Sequence, residues 1–78
     1  MKDLVQYLVT ELVEHPEAVV VNEARGHDGT IYEVEVDPAD VGKVIGKGGK
    51  TANAIRALVK AAASKTYGRA SVEIVTSD

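Results

Sequence analysis

The 78-residue chain contains no cysteine, phenylalanine or tryptophan, and it has only three tyrosines and two prolines. Without cysteine, neither a disulfide nor a thiolate metal site can reinforce the core. With so few aromatic rings, a binding surface that works mainly by stacking bases on aromatic side chains is excluded. Tyr7 and Tyr32 are expected at the edge of the core, which leaves Tyr67 as the one candidate for stacking.

Long apolar runs are also missing. The opening MKDLVQYLVTELVEHPEA carries acids throughout, and no apolar run approaches the ~20 residues that a membrane span needs. The basic start and the small-residue cleavage site of a secretory signal are absent from this opening. We therefore expect a cytoplasmic protein with one domain over residues 1–78, small enough to bury only about 60% of its unfolded surface.

The net charge of −3 conceals a strong asymmetry along the chain. Residues 1–40 hold two basic and ten acidic side chains, a net charge of −8. Residues 41–72 hold seven basic side chains and no acid. This distribution predicts a basic surface for a polyanion, although a helix with one solvated basic side would give the same counts.

The first segment has the spacing of a helix, with Asp3 as its cap and Pro16 as its end. The stripe expected to face the core consists of Leu4, Leu8 and Leu12, widened by Val5, Val9 and Val13.

Three segments favour strands. Ala18–Ala24 is β-branched and too short for a second helix, and His27-Asp28-Gly29 then supplies turn chemistry. Thr30–Val36 alternates apolar and acidic residues, as a strand with one solvated face does. A last strand is expected over Ala70–Thr76.

Two further helices are predicted between these strands. Asp37 fits an N-cap, Pro38 the first helical position, and Asp40 the acid of a capping box. A short helix over Pro38–Ile45 then precedes a longer one over Gly49–Ser64. The side chains expected to be buried are Val41, Val44 and Ile45 in the first, and Ile55, Leu58, Val59 and Ala62 in the second. The order α-β-β-α-α-β predicts an α+β fold with three helices packed on one face of a three-stranded sheet.

The glycine-rich run between these helices does not match a nucleotide-binding loop. A P-loop needs a glycine five residues before Gly49, but Val44 stands there. The dinucleotide pattern G-x-G-x-x-G starts correctly at Gly46 and Gly48 but ends on Thr51. The run Gly46–Gly49 instead joins two helices, where glycines without Cβ atoms and the N–H groups of a helix start suit successive phosphates. The simpler alternative is that the glycines only reverse the chain.

The stretch VIGKGGKTANAI resembles the V-I-G-x-x-G-x-x-x-x-x-I signature of the KH domain, in which a G-x-x-G loop clamps a nucleic-acid backbone. The helix-first order is similar to the type II KH topology, and the length and opening resemble the small stand-alone bacterial KH proteins of the KhpA family. The resemblance implies single-stranded RNA as the ligand and places the loop at residues 46–49. The implied RNA-binding residues are Gly46, Lys47, Gly48 and Gly49 in the clamp, Lys43, Lys50 and Arg56 on the phosphate side, and Val44 and Ile45, with Val41 and Ile55, lining or supporting an apolar floor.

Two of these assignments stay open on the residues alone. Helical spacing explains Val41, Val44 and Ile55 equally as core, and Arg56 and Lys60 contact RNA only if their side of the helix faces the groove. Gly48 departs from the family pattern, since many strongly binding KH domains have two polar or basic residues between the loop glycines. We expect this glycine to give a weaker grip by a single domain.

The resemblance also implies a setting for the protein. It implies an RNA chaperone or post-transcriptional regulator linked to cell elongation and cell-wall homeostasis. It further implies a homodimer, a heterodimer with a KhpB (EloR/Jag)-like protein, or both. The alternative is a protein-interaction module in which the glycine loop is a dimer interface.

Catalysis is not expected. Glu33 and Glu35 alternate on a solvated strand face, and His15 and His27 share no metal-ligand spacing with each other or with a carboxylate. We predict no enzyme activity, no metal and no cofactor.

Overall fold

The computed structural model describes residues 1–27, 29–66 and 68–75. The helices are α1 (Lys2–Thr10), α2 (Val41–Ile45) and α3 (Lys50–Thr66), and the strands are β1 (Val20–Gly26), β2 (Gly29–Glu35) and β3 (Ala70–Val75). Three short 3₁₀ turns lie over Pro16–Ala18, Pro38–Asp40 and Lys47–Gly49. The predicted order α-β-β-α-α-β is confirmed, and it is the order of a type II KH fold.

The sheet has the order β1-β2-β3. β1 and β2 pair antiparallel with Val21 opposite Val34, whereas β2 and β3 pair parallel with Val34 opposite Ile74. Parallel neighbours need a crossover connection, and α2 and α3 provide it. β3 is therefore an edge strand, and α3 packs along it.

The core lies between the helices and one face of the sheet. Val5, Val9, Val34, Val44 and Val59 are fully buried, and Tyr32, Ile55 and Val72 are nearly so. The predicted core stripe of α1 is confirmed for Val5 and Val9, which are buried, but wrong for Leu4 and Leu12, which are exposed. Both stripes repeat every four residues, so periodicity alone cannot choose between them.

The same ambiguity explains the error in α3. Ile55 and Val59 are buried as expected, but Leu58 is 55% exposed and Ala62 only half-buried. Ala52 and Ala63 complete the buried face instead.

Most strand boundaries differ from the predicted ones by one or two residues, whereas α1 ends at Thr10, well before the predicted end at Pro16. The first strand begins at Val20 rather than Ala18, because Pro16–Ala18 forms a 3₁₀ turn. The segment Pro38–Ile45 divides into a 3₁₀ turn and α2. The predicted end of the last strand, Thr76, lies outside the described residues.

The expected acidic caps have three different outcomes. Asp37 does cap its helical segment, since its Oδ1 accepts a hydrogen bond from Ala39 N at 2.9 Å. Asp3 is not a cap, because α1 already begins at Lys2 and Asp3 lies in its first turn. Asp40 does not reach back as a capping-box acid, since it is fully buried and faces the segment before β1.

Tyr7 and Tyr32, both expected at the edge of the core, differ in their exposure. Tyr32 is buried, whereas Tyr7 is 62% exposed and is not at the core edge. Tyr67, the candidate stacker, lies outside the described residues. Within the described part of the chain, none of the helices combines the length and the apolar composition that crossing a bilayer requires.

Candidate nucleic-acid interface

The predicted loop lies between α2 and α3. Gly46 ends α2, where its N–H donates to Gly42 O at 2.8 Å. Its own carbonyl accepts from Gly49 N at 3.1 Å and closes the 3₁₀ turn over Lys47–Gly49. The loop thus delivers the chain directly into the first turn of α3. Lys50 N–H donates back to Lys47 O, and the N–H groups that follow it lack partners within the helix.

Gly46 is required by the packing of the loop itself. Its φ of 78° and ψ of 172° lie in a region that only glycine adopts readily. A Cβ placed there would overlap Thr51 Oγ1 and come within 2.8 Å of Thr51 N. The need for this glycine therefore comes from the start of α3, and not from the approach of a ligand.

Gly48 and Gly49 present the opposite situation. Gly48 has φ 64° and ψ 19°, in the left-handed region, and an added Cβ would meet no atom within 4 Å. Gly49, at φ 81°, would meet only Asn53 Nδ2 at 3.9 Å. The outer side of the loop is therefore open backbone, and the left-handed conformation explains why glycine suits position 48.

Three lysines surround this open backbone, and all three are exposed. Lys43 lies on α2 with its Nζ 3.8 Å from Asp40 Oδ1. Lys47 and Lys50 have no ion-pair partner among the described residues. The cations at the loop are thus largely uncompensated, which raises the local attraction for an anion.

The apolar residues near the loop differ in what a ligand could touch. Val44 and Ile55 are buried in the core, so they can only support a binding floor from beneath. Val41 and Ile45 are half-buried on α2 and retain some accessible surface. A base could therefore contact Val41 and Ile45, but not Val44.

The side of α3 that carries Asn53, Arg56 and Lys60 does face a groove. Arg56 Nε donates to Val72 O of β3 at 3.2 Å, and its Nη1 donates to Asn53 Oδ1 at 3.1 Å. Because Asn53 also lies beside Gly49, these side chains form a continuous strip from the loop to the edge of the sheet.

This strip opens into a cavity of about 900 Å³ between α3, β3 and the β1–β2 turn. Arg56, Lys60 and Arg69 bring three basic side chains to its wall, and none of the described residues that line it is acidic. The helical spacing of Asn53, Arg56 and Lys60 indicated this face, and Ser64 continues it. The contribution of Arg69 and His27 could not be found from spacing, because only the fold brings these segments to α3.

The described residues contain no group of three or more His, Asp or Glu side chains that could hold a metal ion. The site consists of backbone donors, cations and a partly apolar wall. Such an arrangement is suited to an anionic chain.

The family model and the similar proteins found for this chain all point to the same family. The family model described as KhpA/KhpB, KH domain matches residues 2–74. The RNA-binding protein KhpA of Caldanaerobacter subterraneus subsp. tengcongensis is 53% identical over 75 residues, which cover 96% of this chain and 100% of the relative. The proteins of the same name from Clostridium perfringens and Chlamydia caviae are 51% and 43% identical, each over 96% of this chain and over 100% and 96% of their own lengths. No solved structure matches the chain.

Proposed function

This chain belongs to the KhpA/KhpB family of KH domains, and on that premise we propose that it binds single-stranded RNA by gripping the sugar–phosphate backbone at Gly46–Gly49. Relatives that it matches over nearly their whole length carry RNA binding in their names. KH domains hold about four unpaired nucleotides in this manner.

One observation carries the proposal: the outer side of the loop is open backbone next to uncompensated cations. No protein atom occupies the space where a Cβ of Gly48 would point, so a phosphate can approach the main chain closely. Lys47 and Lys50 supply charge at the same point. The 17-residue helix α3 begins there as well, and its dipole favours an anion at its N-terminus.

The strip along α3 gives the RNA a direction. From Gly49 the strand would pass Asn53 and Arg56 and reach the basic cavity beside β3. Base edges would then lie between the half-buried Val41 and Ile45 on one side and the edge strand on the other. Recognition in this groove is by backbone contact and base edges, since the described residues offer no aromatic ring along the strip.

The regulatory role belongs to the same proposal. A groove for about four nucleotides binds weakly alone, and joining two such grooves would add avidity without new contacts. We therefore include self-association, or pairing with a KhpB (EloR/Jag)-like protein, as the form in which the protein acts as an RNA chaperone or post-transcriptional regulator. The link to cell elongation and cell-wall homeostasis rests on the family resemblance.

The test is a double substitution in the loop, Lys47→Asp with Gly48→Asp. Aspartate is among the side chains that tolerate the left-handed conformation of position 48, so the fold should persist. We expect binding of a short single-stranded RNA to weaken at least about tenfold. The slope of log K against log[salt] should become less negative by about 0.7 for each phosphate that the variant no longer neutralises.

A matched control is available on α1. Lys2→Asp with Gln6→Asp makes the same change in net charge on exposed residues of that helix, and acids near a helix N-terminus are favourable. The control should bind RNA within about twofold of the wild type. Unchanged binding by the folded loop variant would disprove the clamp. Loss of self-association with intact RNA binding would favour the dimer-interface alternative.

A further inference from the structure

β3 exposes one row of backbone groups to the groove. Along a strand, successive residues direct their N–H and C=O groups to opposite sides. Arg69 O accepts from Thr30 N at 3.1 Å and thus points towards β2. The backbone groups of Ala70, Val72 and Ile74 consequently point away from β2, towards the side on which α3 lies.

One of these edge groups is already engaged. Val72 O accepts the hydrogen bond from Arg56 Nε at 3.2 Å. A base lying beside Val72 would therefore find one of the two lone pairs of this carbonyl already engaged by a charged donor. An amino group on that base would compete with a charged donor held on a helix.

Arg56 itself can donate hydrogen bonds to a base that lies beside Val72. A guanidinium carries five N–H donors in a rigid planar fork. Arg56 uses one on Val72 and one on Asn53, which leaves three without a hydrogen bond to the described residues. Since Asn53 and Val72 hold the group from two directions, the remaining N–H groups on Nη1 and Nη2 are oriented in advance.

This arrangement discriminates between the purines. Guanine has two neighbouring acceptors, O6 and N7, which match an arginine fork. Adenine has N7 next to an amino donor, which would face the guanidinium and would need an acceptor such as the already engaged carbonyl of Val72. Both purines have the same ring size, so the difference lies only in the edge that they present.

We propose that Arg56 determines the base preference of the groove and selects guanine over adenine at the position beside Val72. The proposal rests on the function proposed above, because it requires RNA to occupy the groove. Asn53 is the positioning residue that holds the guanidinium.

The experiment compares two uridine-rich RNA heptamers that differ only at the central base, guanine or adenine. Fluorescence anisotropy at one fixed salt concentration should give at least about fivefold tighter binding of the guanine RNA, the lower range for a bidentate arginine contact. In Arg56→Lys, which keeps the charge but lacks the fork, the two RNAs should bind within about twofold of each other.

Lys60→Met is the matched control from the same cavity wall. It removes a charge without touching the Arg56 hydrogen bonds, so it should weaken both RNAs equally and leave their ratio unchanged. A thermal melt of each variant verifies folding. Two results would overturn the proposed role of Arg56 and leave the proposed function standing. They are equal affinity of the wild type for the two RNAs, and a guanine preference that survives in Arg56→Lys. No binding of either RNA by the wild type overturns the proposed function and this proposal with it.

Discussion

His15 Nδ1 lies 3.0 Å from Oδ2 of Asp40, a carboxylate with no exposed surface. The same carboxylate accepts hydrogen bonds from the backbone N–H groups of Glu14 at 3.3 Å and His15 at 3.0 Å. Asp40 immediately precedes α2, so this cluster ties the segment before β1 to the helix that leads into the glycine loop. Lys43, at 3.8 Å from Oδ1, adds a positive charge to it.

The contact between His15 and Asp40 changes the pKa of both side chains. The hydrogen bond to Asp40 raises the pKa of His15 above its usual value, although burial lowers it by a smaller amount. The charges of Asp37 and Glu17 also raise this pKa. Burial works against the ionised form of Asp40, but the hydrogen bonds from His15 and Glu14 outweigh it and lower the pKa of that carboxyl.

The pH dependence of stability follows from these directions. The raised pKa of His15 means that its contribution is complete below the unfolded value of about 6.5 and is lost as pH rises through the folded pKa. The lowered pKa of Asp40 means that its contribution is complete above the unfolded value of about 3.9 and is lost as pH falls through the lower, folded pKa. Urea unfolding of the wild type and of His15→Gln should therefore differ most near about pH 5, and the difference should shrink by about pH 8.

A gap in unfolding free energy that stays constant between about pH 5 and pH 8 would show that the charge of His15 contributes nothing to the cluster.

Substitution by alanine should destabilise the protein by different amounts at Gly46 and at Gly48. In Gly48→Ala the added Cβ meets no atom within 4 Å, so only the left-handed conformation is penalised, at about 1–2 kcal/mol. In Gly46→Ala the Cβ would overlap Thr51 in a backbone region closed to alanine, so we expect a loss of more than about 3 kcal/mol or a rearranged loop. Chemical denaturation of both variants measures this, and equal losses would contradict the packing of Gly46 on α3.

Neighbouring residues of α3 test which side of that helix forms the core. Val59 is fully buried, whereas Leu58 is 55% exposed. Val59→Ala removes two buried carbon atoms and leaves a cavity, which should cost about 2 kcal/mol. Leu58→Ala should change the free energy of unfolding by less than about 0.5 kcal/mol. A larger loss for Leu58 than for Val59 would contradict the buried face of α3 seen in the structure.

Local patterns were sufficient for much of the fold. Pro38, the alternating Thr30–Val36 and the glycines at 46–49 each determine the conformation of a few neighbouring residues, so the element order could be predicted from them. The candidate clamp could also be proposed from local sequence, because its glycines and lysines are contiguous in the chain. The prediction that Asp40 is a capping-box acid was wrong for the opposite reason. An acid three residues after Asp37 has the spacing of a capping box, and only distant partners such as His15 show that Asp40 is buried instead.

The order of helices and strands, the position of the loop and the charge around it could all be predicted, because those properties depend on residues adjacent in the chain. The conformation of the loop was needed to show why Gly46 must be glycine beside Thr51. Packing between distant segments was needed to show which of two equally periodic stripes is buried and that Arg56 bonds to Val72. The buried face of α3 and the bond from Arg56 to Val72 depend on how α3 is rotated against the sheet. That rotation is set by packing between segments that local spacing does not relate.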